Sequence, residues 1–180
     1  RQHGEIDFFG GEPLLNWDVV KQTVEYIEQE APKHNKIFKL TLTTNGMLLS
    51  QEKIDYVNEH KMSLVLSLDG REDVHNAMRP VAGSGANSYE YIAKNLVNAV
   101  KQRHGLEYYV RGTYTHKNLD FTKDVLAMSD LGFEHLSMEP VVGEEGDYVL
   151  REEDWPTLEK EYETLADIYL QRQKDVSYTH

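Results

Sequence analysis

Five short stretches concentrate the groups able to bind or activate a ligand: Gly10-Gly11-Glu12-Pro13, Thr44-Asn45-Gly46, Ser67-Leu68-Asp69-Gly70, Arg111-Gly112-Thr113 and Glu139-Pro140. Each lies at the end of an apolar run. Adjacent glycines let a backbone approach a ligand closely, and a proline fixes the exit of the turn. Glu12 and the neighbouring carbonyls are acceptors suited to an ammonium group, whereas the fork of donors on Arg111 suits a carboxylate. Ser67, Asp69, Thr44 and Asn45 are short donors and acceptors of the kind that hold ribose hydroxyls. Together they describe an amino acid joined to a nucleoside. A phosphate ester would ask instead for a Gly-rich helix N-terminus or several basic residues.

These clusters need a frame that brings them to one place. Five runs read as strands, at about 5–9, 37–44, 62–69, 107–115 and 133–139, and each is followed by a segment of helical period. Such alternation predicts parallel pairing in an α/β fold. The first helix begins near Asn16 and places Val20, Val24 and Ile27 on one face before Pro32 closes it. Ser50 heads the second, with Ile54 and Val57 inward. The third carries Tyr89, Ile92, Leu96, Ala99 and Val100 at spacings of three and four, and Gly105 stops it. The fourth runs from Phe121 through Val125 and Met128 to Gly132, and the fifth starts at Asp154 with Leu158, Tyr162, Leu165, Ala166 and Tyr169. The stretch 70–87 reads as a long loop rich in Gly, Ala and Ser, of a length that is more often functional than idle.

Side chains of a strand alternate between its faces, and this alternation carries the most information. Leu64, Leu66 and Leu68 oppose Ser63, Val65, Ser67 and Asp69; Leu40 and Leu42 oppose Thr41, Thr43 and Asn45. Leu136 and Met138 oppose His135, Ser137 and Glu139, and Ile6 and Phe8 oppose Asp7 and Phe9. In the fourth strand Val110 and Tyr114 oppose Tyr109, Arg111, Thr113 and Thr115. A parallel sheet covered by helices on both faces has near-continuous apolar strands, and a closed eight-stranded barrel is filled with branched apolar side chains. This sheet fits neither. Helices can cover its apolar face only, so the polar face is expected to be concave. The fold class is an α/β, partial (open) TIM-type barrel of parallel strands with outer helices, its ligand at the C-terminal ends of the strands.

The 180 residues suffice to bury about 70% of the unfolded surface, and 39% hydrophobic with 28% charged residues is an ordinary globular balance. A net charge of −12 argues against duplex nucleic acid or an anionic membrane as partner. Residues 144–175 hold 11 acidic against 4 basic side chains, which reads as a solvated face. Cysteine is absent, which excludes disulfides, thiolate metal sites and a Cys nucleophile from this span. No window approaches the roughly 18 apolar residues of a membrane span. The abrupt start, with a strand a few residues in, suggests a piece of something longer.

Phe-Phe-Gly-Gly-Glu-Pro-Leu-Leu at 8–15, Thr-Thr-Asn-Gly at 43–46, Leu-Ser-Leu-Asp-Gly at 66–70, His75-Asn76-Ala77-Met78-Arg79 and Glu139-Pro140-Val141-Val142 follow one another in an informative order. In that order and spacing they resemble the radical S-adenosylmethionine enzymes with a SPASM extension. The wording is similar to that of the maturases that install thioether cross-links in Cys-rich peptides, with anaerobic sulfatase-maturating enzymes as near relatives. The resemblance implies a six-stranded partial barrel, of which about five βα units are present. It also implies S-adenosylmethionine bound to a [4Fe-4S] cluster and cleaved reductively to a 5′-deoxyadenosyl radical that abstracts hydrogen from a precursor peptide, with an electron donor as a further partner. On that basis Gly10, Gly11 and Glu12 meet the methionine amino group, Arg111 its carboxylate, Ser67 with Asn45 or Asp69 the ribose, and the backbone from Met138 to Val142 the adenine. The family holds its cluster with three cysteines, Cys-x3-Cys-x2-Cys, and binds further SPASM clusters through others. This chain supplies none of them, so the span by itself is expected to be inactive. Residues 1–143 then form the barrel core, and 144–180 an acidic loop and helix leading toward a SPASM region. The family implies the anaerobic cytoplasm.

Plainer readings accompany these. Arg111 can pair with Asp69 or Glu139, and Ser67 and Thr43 can satisfy neighbouring backbone. His75 and Arg79 fall on the long loop, where they contact substrate or anchor the loop. The eight histidines form no His-x-His or His-x3-His pair, which argues against zinc. A non-redox sugar-phosphate barrel enzyme lacks its phosphate loop and a strand-terminal Lys here. A nucleoside-binding module without turnover is the remaining alternative.

Overall fold

The computed structural model describes residues 1–177. Five strands, β1 (His3–Phe8), β2 (Ile37–Thr44), β3 (Ser63–Ser67), β4 (Tyr108–Tyr114) and β5 (Leu136–Pro140), pair in parallel in sequence order. A doubly wound sheet would reverse that order at a switch point. Here every crossover steps the same way, and the sheet curls into an open partial barrel. The helices are α1 (Trp17–Glu30), α2 (Gln51–Glu59), α3 (Glu72–Met78), α4 (Tyr89–Lys101), α5 (Thr122–Asp130) and α6 (Trp155–Ser177). No helix among the described residues is long and apolar enough to cross a membrane.

The expected two faces are present. Leu40, Leu42, Leu64, Leu66, Leu68 and Val110 are buried against Val20 and Val24 of α1, Ile54 and Val57 of α2, Leu96 and Ala99 of α4 and Met128 of α5. Fully burying such a side chain stabilises the fold by about 1.5–3 kcal/mol, so this one-sided layer fixes which face each strand turns inward. On the opposite face, Asp7, Tyr109 and Arg111 stay exposed and Thr41, Thr43, Ser67 and Thr113 are half-buried.

The floor of the sheet is closed by a residue that no sequence pattern singles out. Arg103, just beyond α4, is 2% exposed. Its guanidinium donates to Asn58 Oδ1 at 2.6 Å and to the carbonyls of Met62 and Glu107 at 2.5 and 2.7 Å, which ties α2 to the starts of β3 and β4. It has no carboxylate partner among the described residues, and burial pulls it down to about 10.

Two expectations are corrected. The stretch 70–87 is not all loop: Glu72–Met78 forms α3, whose first turn carries Glu72 and Asp73, favourable at a helix N-terminus. Arg71 precedes it and donates to the fully buried Asp124 at 2.7 Å and to Asp120 at 2.7 Å, so α3 is anchored on α5. Thr115 does not share the polar face with Thr113. It lies past the end of β4, fully buried, where its hydroxyl and N–H donate to Asn118 Oδ1. α1 and α2 begin where expected, directly after Asn16 and Ser50, although neither side chain makes a cap hydrogen bond; a 3₁₀ turn, Pro13–Asn16, leads into α1.

Beyond β5 the chain returns to the barrel. His116 N–H donates to the Tyr148 carbonyl, and the His116 ring meets both carboxylate oxygens of Asp154 at 2.9 Å. α6 then packs Leu158 beside Tyr114 and Phe121, whose rings stack 4.6 Å apart. The acidic segment expected over 144–180 therefore contributes a helix laid on the barrel; its residues 178–180 lie outside the described residues.

Candidate functional site

The C-terminal ends of the strands surround a cavity of about 450 Å³, within the usual range for small-molecule sites. Its wall includes Gly10 and Gly11 after β1, Thr43 to Asn45 from β2, Ser67 from β3, Arg111 and Thr113 from β4, and Glu139 to Val142 from β5. The sheet register explains this convergence. Ser67 pairs with Arg111 and Arg111 with Ser137, while Thr113 pairs with Glu139, so residues of equal parity form rows across the lumen. The close approach of β3 and β4 depends on Gly112, where a Cβ would lie 2.8 Å from the Leu68 carbonyl oxygen and 2.5 Å from Met138 Sδ.

Gly10 and Gly11 adopt φ of +93° and +50°, a conformation that side chains disfavour. Open space lies where their Cβ atoms would be, so backbone there faces the cavity unobstructed. Glu12 holds this turn in place. Its Oε1 accepts from Leu14 N–H at 3.0 Å and Thr44 Oγ at 2.8 Å, and its Oε2 accepts from Asn45 N–H at 2.8 Å. Asn45 uses its Oδ1 to accept from Met47 N–H, which leaves its amide donors to the cavity.

Arg111 forms a short ion pair with Glu139, one of the two partners expected for it. Both side chains remain nearly half exposed, 44% and 45%, so a ligand can compete for the guanidinium. The Ser67 side chain makes no hydrogen bond to another described residue, and its hydroxyl is free for a ligand. The Thr43 hydroxyl donates to Asp7 at 3.2 Å.

Asp69 takes a different place from the one expected. β3 ends at Ser67, and Asp69 turns inward to 1% exposure. Its carboxylate accepts Arg79 Nε and Nη2 at 2.6 and 3.0 Å and the Thr113 N–H at 3.1 Å. Its own N–H donates to Nδ1 of His75. His75 sits on α3, fully buried, with Nε2 lacking a hydrogen-bond partner among the described residues. Burial lowers its pKa, and Arg79 adds to this while Asp69 opposes it.

Of the residues expected at the site, Gly10, Gly11, Asn45, Ser67, Arg111 and Val142 line the cavity, and Glu12, Asp69 and Met138 do not. Glu12 and Asp69 are turned onto backbone N–H groups and Arg79, and Met138 packs on the core side. Thr113, expected on the polar face, lines the cavity, and so does Arg79, which both anchors its loop on Asp69 and reaches the lumen. The signal for Arg79 was its place four residues after His75, one helical turn on. Among the described residues His116, Glu153 and Asp154 also cluster, outside the cavity.

A curled parallel sheet with an open polar lumen and paired glycines after its first strand defines an open partial barrel. The radical SAM superfamily model matches residues 1–110. This chain belongs to that superfamily. It is 28% identical over 91 residues to the radical SAM cyclopropyl synthase TigE of Paramaledivibacter caminithermalis, covering 51% of this chain and 18% of that protein. It is 32% identical over 78 residues to the cysteine-type anaerobic sulfatase-maturating enzyme of Clostridium perfringens, covering 43% of this chain and 21% of that one. The matched portion is thus about a fifth of each relative. In fold it is similar to native anSMEcpe solved with bound AdoMet and Kp18Cys peptide, with a TM-score of 0.83 and 20% identity over 97% of this chain and 49% of that one.

The donor set fits S-adenosylmethionine: a free hydroxyl, a contestable guanidinium and an unobstructed glycine turn share one cavity. It does not fit an iron–sulfur cluster, which is held by thiolates, because the chain contains no cysteine.

Proposed function

We propose that this chain is the S-adenosylmethionine-binding barrel portion of a radical peptide-modifying maturase, of the kind that forms thioether cross-links. The observation that carries the reading is the row formed by Ser67 and Arg111, paired across β3 and β4 and facing the Gly10-Gly11 turn in one cavity. Backbone carbonyls at Gly10 and Gly11 receive the methionine ammonium, framed by Glu12. Arg111 binds the carboxylate by exchanging Glu139 for it, Ser67 and Asn45 hold the ribose hydroxyls, and the backbone of Pro140 to Val142 lies along the adenine. When bound and reduced by one electron, S-adenosylmethionine supplies hydrogen-atom abstraction.

This chain's contribution is to bind and orient. Cluster ligands, and with them the electron donor's entry point, come from outside this span, and turnover by the span alone is not expected. A peptide substrate has the support of the Kp18Cys peptide bound in the structurally similar protein. Sulfatase maturation is the second reading, favoured by the identity to the Clostridium perfringens enzyme. We place the reaction in the cytoplasm, with residues 1–143 as the barrel and the segment after them as the connection to a SPASM region.

Calorimetry with S-adenosylhomocysteine tests the shared core of both readings. Saturable binding that Arg111→Ala abolishes is the expected result. Tight binding of a phosphosugar with no response to S-adenosylhomocysteine overturns it.

A further inference from the structure

Arg79 is the one cavity-lining cation that the nucleotide assignment leaves unused, and it is held with unusual care. Nε and Nη2 form a two-pronged pair with Asp69 at 2.6 and 3.0 Å, and Asp69 is in turn fixed by Thr113 N–H. The Arg79 backbone is fastened as well: its N–H donates to the His75 carbonyl at 2.7 Å, and its own carbonyl accepts the Ser88 hydroxyl at 2.6 Å. Nη1 donates to no described residue, while the side chain lines the cavity and is 34% exposed.

Such an arginine is rigid, has donors left over, and carries a charge already balanced by Asp69. The second guanidinium differs: the side chain of its partner Glu139 is 45% exposed and can be exchanged for an anion, whereas that of Asp69 is 2% exposed and stays in place. Unspent donors on a neutralised pair favour a neutral acceptor over an anion, since an anion would meet the Asp69 carboxylate close behind. The neutral acceptor with the most basic oxygen in a polypeptide is the amide carbonyl.

We propose that Arg79 is a substrate-binding residue whose free guanidinium N–H groups hold a backbone carbonyl oxygen of the peptide beside the nucleotide. The inference rests on the reading of this cavity as a S-adenosylmethionine site. Asp69 acts through Arg79 by fixing its plane, which pre-pays the ordering of a long side chain.

The test uses the ¹⁵N-labelled chain, with arginine side-chain resonances recorded in saturating S-adenosylhomocysteine. The probe is N-acetylglycine N-methylamide, which offers two amide carbonyls and no charge, with acetate at matched ionic strength as control. Arg79 resonances, assigned through Arg79→Gln, are expected to shift saturably with the amide and at least about fivefold less with acetate. Arg79→Gln and Arg79→Lys, the latter keeping the ion pair with Asp69, are expected to leave S-adenosylhomocysteine affinity within about twofold, a change under about 0.5 kcal/mol. Arg79 signals that ignore the amide, or follow acetate instead, overturn the proposal. So does a loss of about tenfold or more in S-adenosylhomocysteine affinity for Arg79→Lys, which would move Arg79 into the nucleotide site. Failure of the unaltered chain to bind S-adenosylhomocysteine refutes the cofactor reading, and the amide titration without it then reports on Arg79 separately.

Discussion

Glu12 and Asn45 are joined by a 2.8 Å hydrogen bond from the Asn45 N–H to the Glu12 carboxylate, across the ends of two neighbouring strands. The same carboxylate takes Leu14 N–H and Thr44 Oγ on its other oxygen. Both oxygens are therefore occupied by donors, and Glu12→Gln would set an amide NH2 against one of them. An orphaned, partly buried N–H costs about 1–3 kcal/mol. Urea unfolding is expected to show a loss of that size, and Glu12→Gln at wild-type stability would refute this role.

Gly70 at φ +102° lies directly over α5, where an added Cβ would sit 2.2 Å from Asp124 Cβ and 2.6 Å from Asp124 Cα. Backbone cannot yield as a flexible side chain can. Gly70→Ala is expected to cost about 3 kcal/mol or more, combining overpacking with left-handed strain. Gly83→Ala, at φ +84° with nothing within 4 Å, should cost only the strain of about 1–2 kcal/mol. Thermal unfolding of the two variants side by side reads the difference.

His75 makes stability depend on pH in a definite direction. Burial holds its folded pKa below the ordinary value of 6.5, so on acidification the unfolded chain takes up the proton first. Stability is therefore full above about pH 7.5 and falls as pH drops through 6.5 toward the folded pKa, by up to about 1.4 kcal/mol per pH unit. His75→Gln removes this contribution while the other histidines remain. Between pH 7.5 and 5.5 the unaltered chain should lose more stability than the variant in urea titrations. Equal losses would show that His75 is not the titrating group.

Ser67→Ala separates binding from folding. The hydroxyl spends no hydrogen bond on the described protein, so stability should stay within about 0.5 kcal/mol. S-adenosylhomocysteine affinity should fall roughly tenfold, the equivalent of one hydrogen bond of about 1.4 kcal/mol. Calorimetry of both proteins checks it, and an unchanged affinity would remove Ser67 from the ribose contacts.

The two-faced strands were legible because alternation is a property of the backbone. Once Leu64, Leu66 and Leu68 go to the core, Ser67 must face the lumen, and pairing in sequence order sets it beside Arg111. Rules of that kind stop where a strand stops. Continuing the alternation past Ser67 and Tyr114 misplaces Asp69 and Thr115, because the chain has already turned there and both side chains are buried. α3 escapes a periodicity reading because it is short and rests on Arg71, Asp124 and a buried histidine rather than on a broad apolar stripe. Val74, Ala77 and Met78 behind an acidic first turn were nevertheless a readable hint. The role of Glu12 was out of reach for another reason: a carboxylate's partners depend on which N–H groups the sheet brings near, and a chain read in one dimension does not show them.

Arg103 gives the barrel a grounding that the lumen residues lack. Its clasp on three oxygens contains no carboxylate, and a guanidinium at about 10 stays protonated throughout the physiological range. Added electrolyte screens the half-exposed Arg111–Glu139 pair at the mouth far more than it weakens this buried clasp. Rising salt should loosen that mouth pair while the Arg103 clasp stays closed.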